Sequence, residues 1–178
     1  MADVSIAKEL NSGSGAACKW YGITLNALGE AEGTKSHVAK LMDVKSAWLK
    51  AVELDPTDAT SFNLLGRWCF ELVELDWITR TACTAFYGTL PATTYEEALG
   101  YLEHAEQTSP RFYLNNLLML GKCCIALGKF DDAKDWLHAA VKMAEDADGS
   151  GTPEDAACAS PLRPRHHAHH AHHAHRTA

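Results

Sequence analysis

Three stretches of this chain place residues of matching character at one spacing, and that repetition limits the fold more than any other feature. Val44, Ala98 and Ala133 stand first, and Trp48, Leu102 and Leu137 follow four residues on. Ala51, Ala105 and Ala140 stand at a spacing of seven, with Pro56, Pro110 and Glu145 five beyond. Seven residues is about two turns of α-helix, so the small side chains share one face. Their size lets a neighbouring helix approach, and the larger residue between them fills the gap. Proline then ends the helix, because it cannot continue the hydrogen-bond ladder. Ahead of each stretch an apolar run closes on glycine: "CKWYG", "FNLLG" and "LLMLG", at Gly22, Gly66 and Gly121. The pattern predicts three helical hairpins.

The third copy resembles a tetratricopeptide repeat throughout. It carries Leu117, Leu120 and Gly121, then Gly128 in the turn, then Ala133, Leu137 and Ala140. It departs only at Glu145, where proline is usual. From the glycine to the first small residue of the second helix it counts 12 positions, against 22 from Gly22 to Val44 and 32 from Gly66 to Ala98. Two copies therefore carry insertions of about 10 and about 20 residues. The first lies in "GEAEGTKSHVAKLMDVKSAW". The second is "ELDWITRTACTAFYGTLPATTYEE", whose Leu75, Ile78, Cys83 and Phe86 read as helical and partly buried. Trp68 and Trp77 read as core, given the apolar area a tryptophan buries. Thr94, with Glu97 three residues later, predicts a capping box at the start of the delayed second helix. The expected fold is all-α: a tetratricopeptide-like helical-hairpin array with inserted helices.

Composition bounds the rest. The hydrophobic content of 47% fits a folded domain. The net charge of -7 argues against a general nucleic-acid binder, which shows a basic stripe. No run approaches the ~20 apolar residues of a membrane span, so no transmembrane segment is expected and cytoplasmic residence is the default. Cys18, Cys69, Cys83, Cys123, Cys124 and Cys158 lack zinc-ligand spacing and read as buried structural thiols. Residues 1–15 read as a flexible N-terminal segment and residues 16–147 as the helical domain. Residues 148–178 read as a disordered low-complexity tail that holds seven of the ten histidines, set aside from the fold and assigned no metal.

"KWYG" followed by "EGTK", then "LLGRWCFEL" and "LDW", then "LPATTYEEALGYLEHAEQTSP" and "NNLLMLGKC", resemble the tetratricopeptide domain of the regulator of microtubule dynamics family. The resemblance covers about residues 16–147 and accounts for both insertions. It implies a helical, non-enzymatic domain without cofactors, linked to microtubules and spindle organisation through protein binding. It also implies an alternative, a phospholipid-binding or lipid-transfer domain at organelle contacts. Some family members carry N-terminal membrane anchors and work at mitochondria or the endoplasmic reticulum. The expected location is therefore cytoplasmic and cytoskeleton-associated, or peripheral at those organelles. The chain shows no anchor and lacks an expected upstream helical pair, as a truncated chain would.

Candidate binding residues follow from charge and aromatic content. Lys35, Lys40, Lys45 and Lys50 recur every five residues and form a broad positive band suited to acidic tubulin or anionic lipid. The competing reading is a solvated lysine face around a buried Trp48. Arg67 and Arg80 are candidates for an acidic partner group, although Arg67 is also placed to pair with Glu71 four residues on. Trp77 and Tyr87 add aromatic surface in the second insertion. His37, His104 and His138 have no catalytic partner that spacing can place, so no catalytic residue is expected. An apolar tunnel roofed by the Trp77–Tyr87 segment would favour lipid, and a filled core with a polar groove would favour protein recognition.

Overall fold

The repeat glycines sit where the helices of each pair touch. A methyl carbon added at Gly66 would lie 2.5 Å from Leu102 Cγ and 3.0 Å from the Ala98 carbonyl oxygen. One at Gly121 would lie 2.7 Å from Leu137, and one at Gly22 would overlap the Trp48 ring. Each glycine therefore admits the large residue of the partner helix. The three copies match in space at the positions that match in sequence.

These contacts come from a computed structural model, which describes residues 13–146 apart from Thr89 and the side chain of Tyr87. The described residues form seven helices and no strand. They are α1 (Gly15–Glu32), α2 (Thr34–Leu54), α3 (Ala59–Val73), α4 (Trp77–Tyr87), α5 (Tyr95–Thr108), α6 (Leu114–Ala126) and α7 (Phe130–Asp146). Helix α1 pairs with α2, α3 with α5, and α6 with α7. The hairpins stack through α2 on α3, α5 on α6 and α3 on α6. This is the tetratricopeptide-like array that the spacing predicts.

The two insertions are accommodated differently. The first makes no helix of its own. It lengthens the first hairpin, whose helices run 18 and 21 residues against 13 and 17 in the third. Gly33, at φ +97, is the one residue between α1 and α2, in a conformation that favours glycine. Only the second insertion adds a helix, α4, which leans on α2. The domain also begins earlier than residue 16. Ser14 Oγ accepts from the Ala17 N–H at 3.3 Å as N-cap, and Gly15 is buried, where a methyl carbon would meet Asp55 Cβ at 2.8 Å. The "NSGSG" composition reads as linker because a cap and a close approach use the same residues. Residues 148–178 lie outside the described residues.

The core runs through all three hairpins, with Val44, Leu65, Cys69, Leu102, Leu117, Leu120 and Cys123 fully covered. Four thiols are buried as expected, Cys18 is half-buried, and Cys158 lies outside the described residues. Burial raises the Cys69 and Cys123 thiols to about 12. A polar chain crosses between the second and third hairpins. The Asn63 amide donates to Asn116 Oδ1 at 2.9 Å, and the Asn116 amide donates to the Leu102 carbonyl at 3.2 Å and to Glu106 at 3.0 Å. The other Glu106 oxygen accepts from the Arg111 N–H at 2.6 Å, and Arg111 takes a φ of 54 there. Buried polar groups in such a chain fix the relative placement of the elements they join.

Candidate interaction surface

The first helices of the hairpins, α1, α3 and α6, bring together a polar strip that local sequence does not connect. On α1, the Asn26 amide donates to Glu30 at 2.8 Å, and its oxygen lies 3.2 Å from His37 Nε2 on α2. That geometry assigns the proton to Nε2, because the amide oxygen only accepts. Burial lowers the His37 pKa, with Lys40 adding to the effect and Glu30 opposing it. On α3, Arg67 Nη2 lies 3.5 Å from Glu71 one turn on. Burial raises the Glu71 carboxyl, against the pull of Arg67 and of Lys122 on α6, while Glu30 adds to the rise. Glu71 therefore pairs with Arg67 on its own helix and also feels the charges of Glu30 on α1 and Lys122 on α6.

The lysine band takes a different form from the one its spacing suggests. Lys40 pairs with Glu32 at 2.7 Å, Lys45 with Glu97 at 3.0 Å and Lys50 with Glu53 at 2.9 Å. Lys45 is half-buried and lies 5.3 Å over the Trp68 ring. The band is compensated by carboxylates from other turns and other helices, which spacing within residues 34–50 could not reveal. Lys35 is exposed near the start of α2. The Glu97 carboxylate goes to Lys45, so the Thr94 cap makes only its forward bond, accepting from the Glu97 N–H at 3.1 Å.

The second insertion also departs from expectation. Trp68 is core, but Trp77 is 73% exposed, Ile78 63% and Phe86 79%. Helix α4 turns its large apolar side chains outward and sets Cys83 inward. Its contact with the body is too narrow to cover more, because α3 and α5 already close on each other at Gly66. These side chains are not placed to roof an interior. Arg80 donates its guanidinium to the Leu72 carbonyl at the end of α3 and is a structural tie. Tyr87's side chain lies outside the described residues. His104 is exposed and stacks on Phe62 with centroids 4.0 Å apart.

Among the described candidates from the sequence, Arg67 joins the polar strip. Asn26, Glu30, Glu71 and Lys122 complete it. Repeat register carried the missing signal: Arg67 and Lys122 both stand one residue after the packed glycine of their copies.

Comparison with known proteins adds a family-level match. The family described as regulator of microtubule dynamics protein 1-3 matches residues 3–157. Regulator of microtubule dynamics protein 1 of Bos taurus is 44% identical over 131 residues, covering 74% of this chain and 41% of the relative. The Homo sapiens protein of that name matches at the same identity, over 42% of its length. Regulator of microtubule dynamics protein 3 of Rattus norvegicus is 32% identical over 130 residues, covering 73% of this chain and 28% of the relative. The chain thus spans well under half the length of these relatives. Among solved structures, the crystal structure of MamA aligns with a TM-score of 0.55 at 16% identity. That alignment covers 78% of this chain and 63% of MamA, a likeness of fold alone.

Proposed function

This chain belongs to the regulator of microtubule dynamics family, and on that footing we propose that it is a non-enzymatic interaction module acting in microtubule regulation. It holds a protein partner against the strip on α1, α3 and α6, in the cytoplasm and at microtubules, including those of the spindle. The observation that carries this reading is the Arg67–Glu71 ion pair on α3, on which the charges of Glu30 on α1 and Lys122 on α6 both act. Fixed charges of both signs in one strip suit a polar peptide segment and give specificity more than raw affinity. The ion pairs made by Lys40, Lys45 and Lys50 weigh against attraction to acidic tubulin through a bare lysine band. The outward turn of α4 weighs against the phospholipid reading, which needs an apolar roof. Thiols raised to about 12 at Cys69 and Cys123 hold almost no nucleophilic thiolate at neutral pH, in keeping with a binding role.

The test is co-sedimentation with stabilised microtubules across a salt series, with and without a fraction of microtubule-associated proteins. The reading expects the chain to pellet when that fraction is present, with binding that weakens as salt rises. Pelleting in neither condition at low salt would refute it. Uptake of phospholipid by delipidated protein, followed by native mass spectrometry, would support the lipid alternative instead.

A further inference from the structure

We infer that the far face of the third hairpin docks a second copy of this chain across a two-fold axis. Repeat register identifies the face. In the second hairpin, Asn63 on α3 stands three residues before Gly66, and Glu106 on α5 stands eight after Ala98. Both bond to Asn116 of the third hairpin, so these positions face the next member of the stack. In the third hairpin the same positions, three before Gly121 and eight after Ala133, hold Leu118 and Val141. Among the described residues no further hairpin follows there. Ile125, seven residues after Leu118, shares its side of α6, and Phe130, eleven before Val141, shares its side of α7. All four are exposed, Phe130 at 69% and Val141 at 55%.

A repeat array that stays apart from other molecules carries a polar outer face on its last member. Here the junction positions change the other way. Asn63 and Glu106 need hydrogen-bond partners, whereas Leu118 and Val141 are satisfied by apolar surface. The 32 residues after α7 contain one large apolar side chain, Leu162, and so no apolar stripe to match. A second copy supplies one, in the same face. Head-to-tail stacking does not fit the first hairpin. Asn116, Leu120 and Cys124, four residues apart, line the side of α6 that enters the second hairpin, and register matches them to Ala17, Tyr21 and Leu25 on α1. Leu25 is buried and Tyr21 half-buried against the core of its own domain, so that side is not open to a neighbour. The contact therefore uses one patch on both molecules, and such a contact closes as a dimer instead of growing into a filament. It does not draw on the ion pair that carries the proposed function, so its test stands apart.

Sedimentation velocity of the full chain from about 1 μM to 1 mM follows the association. Reductant and a chelator are present, so neither a disulfide nor metal held by the histidines of residues 166–175 can bridge molecules. The patch is small for a permanent interface, so a monomer–dimer equilibrium is expected, with dimer predominant at the top of the range. Ile125→Glu and Val141→Glu should each weaken it about tenfold or more, leaving the unfolding midpoint unchanged because both side chains are exposed. Met42→Glu makes the same charge change at an exposed apolar residue of the first hairpin and should stay within about twofold of wild type. A chain that remains monomeric throughout would overturn the inference. So would a dimer that tolerates Ile125→Glu and Val141→Glu, one lost equally in Met42→Glu, or growth beyond the dimer.

Discussion

Replacing Gly66 by alanine should destabilise the domain, although alanine is the better helix former. Removing a mid-helix glycine returns about 1 kcal/mol of helix propensity. Against that gain, the new methyl would stand 2.5 Å from Leu102 Cγ, 2.9 Å from Leu102 Cδ2 and 3.0 Å from the Ala98 carbonyl oxygen. Leu102 Cγ is a branch point on a short tether and the carbonyl is backbone, so neither swings aside. Helices α3 and α5 must separate, and overpacking of this kind costs about 1–3 kcal/mol, occasionally more. With contacts this short the upper end applies, leaving a net loss of about 2 kcal/mol. Gly100, in α5, is the control: a methyl there meets nothing within 4 Å. Gly100→Ala should therefore stabilise by roughly 0.5–1 kcal/mol. Urea titrations followed by far-UV circular dichroism measure both. The two melting temperatures should move in opposite directions, by about 3–4 °C per kcal/mol for a domain of this size. A Gly66→Ala protein as stable as wild type, or stabilised as much as Gly100→Ala, would refute the claim that glycine sets the hairpin contact.

Further outcomes follow from the same packing. Asn116→Ala removes the partner of the buried Asn63 amide and of Glu106, and should cost about 2–3 kcal/mol in a denaturant titration. Trp68→Ala should cost about 3–5 kcal/mol, while Trp77→Ala should stay within roughly 0.5 kcal/mol of wild type by the same method. Burial depresses the His37 pKa in the folded state, so the unfolded chain takes up the proton first as pH falls below the ordinary value of 6.5. The contribution of His37 is therefore fully present above that value and declines as pH falls through it toward the folded value. His37→Gln should flatten that part of a melting-temperature-against-pH curve.

The hairpins were legible because their signal is short-range and repeated: a glycine, a large residue and two small ones must recur wherever two helices touch closely. Register aligns Gly22, Gly66 and Gly121 across the copies and Trp48, Leu102 and Leu137 likewise, and the structure brings them together as Gly22–Trp48, Gly66–Leu102 and Gly121–Leu137. The surface was less legible because charge is settled between elements. Lys45 reads as part of a positive band until Glu97, 52 residues away, is placed beside it. Trp77 reads as core because tryptophan usually is. Its exposure follows from α3 and α5 meeting without α4, a fact about a hairpin closed across some 20 residues of intervening chain. Ser14 and Gly15 read as linker because the residues that cap helices and permit close approach are also those of flexible segments. Asn26, Glu30 and Lys122 gain meaning only when the three hairpins are stacked.

The most direct test of the central claim, that recognition lies on the α1–α3–α6 strip and not on the α2 lysines, compares two single charge reversals. Lys122→Glu and Lys35→Glu both alter an exposed lysine and change the net charge equally. Each is assayed by co-sedimentation with microtubules and their associated proteins at low and physiological salt. The account predicts that Lys122→Glu weakens binding about tenfold, while Lys35→Glu stays within about twofold of wild type. Loss of binding in Lys35→Glu with Lys122→Glu unaffected would contradict it.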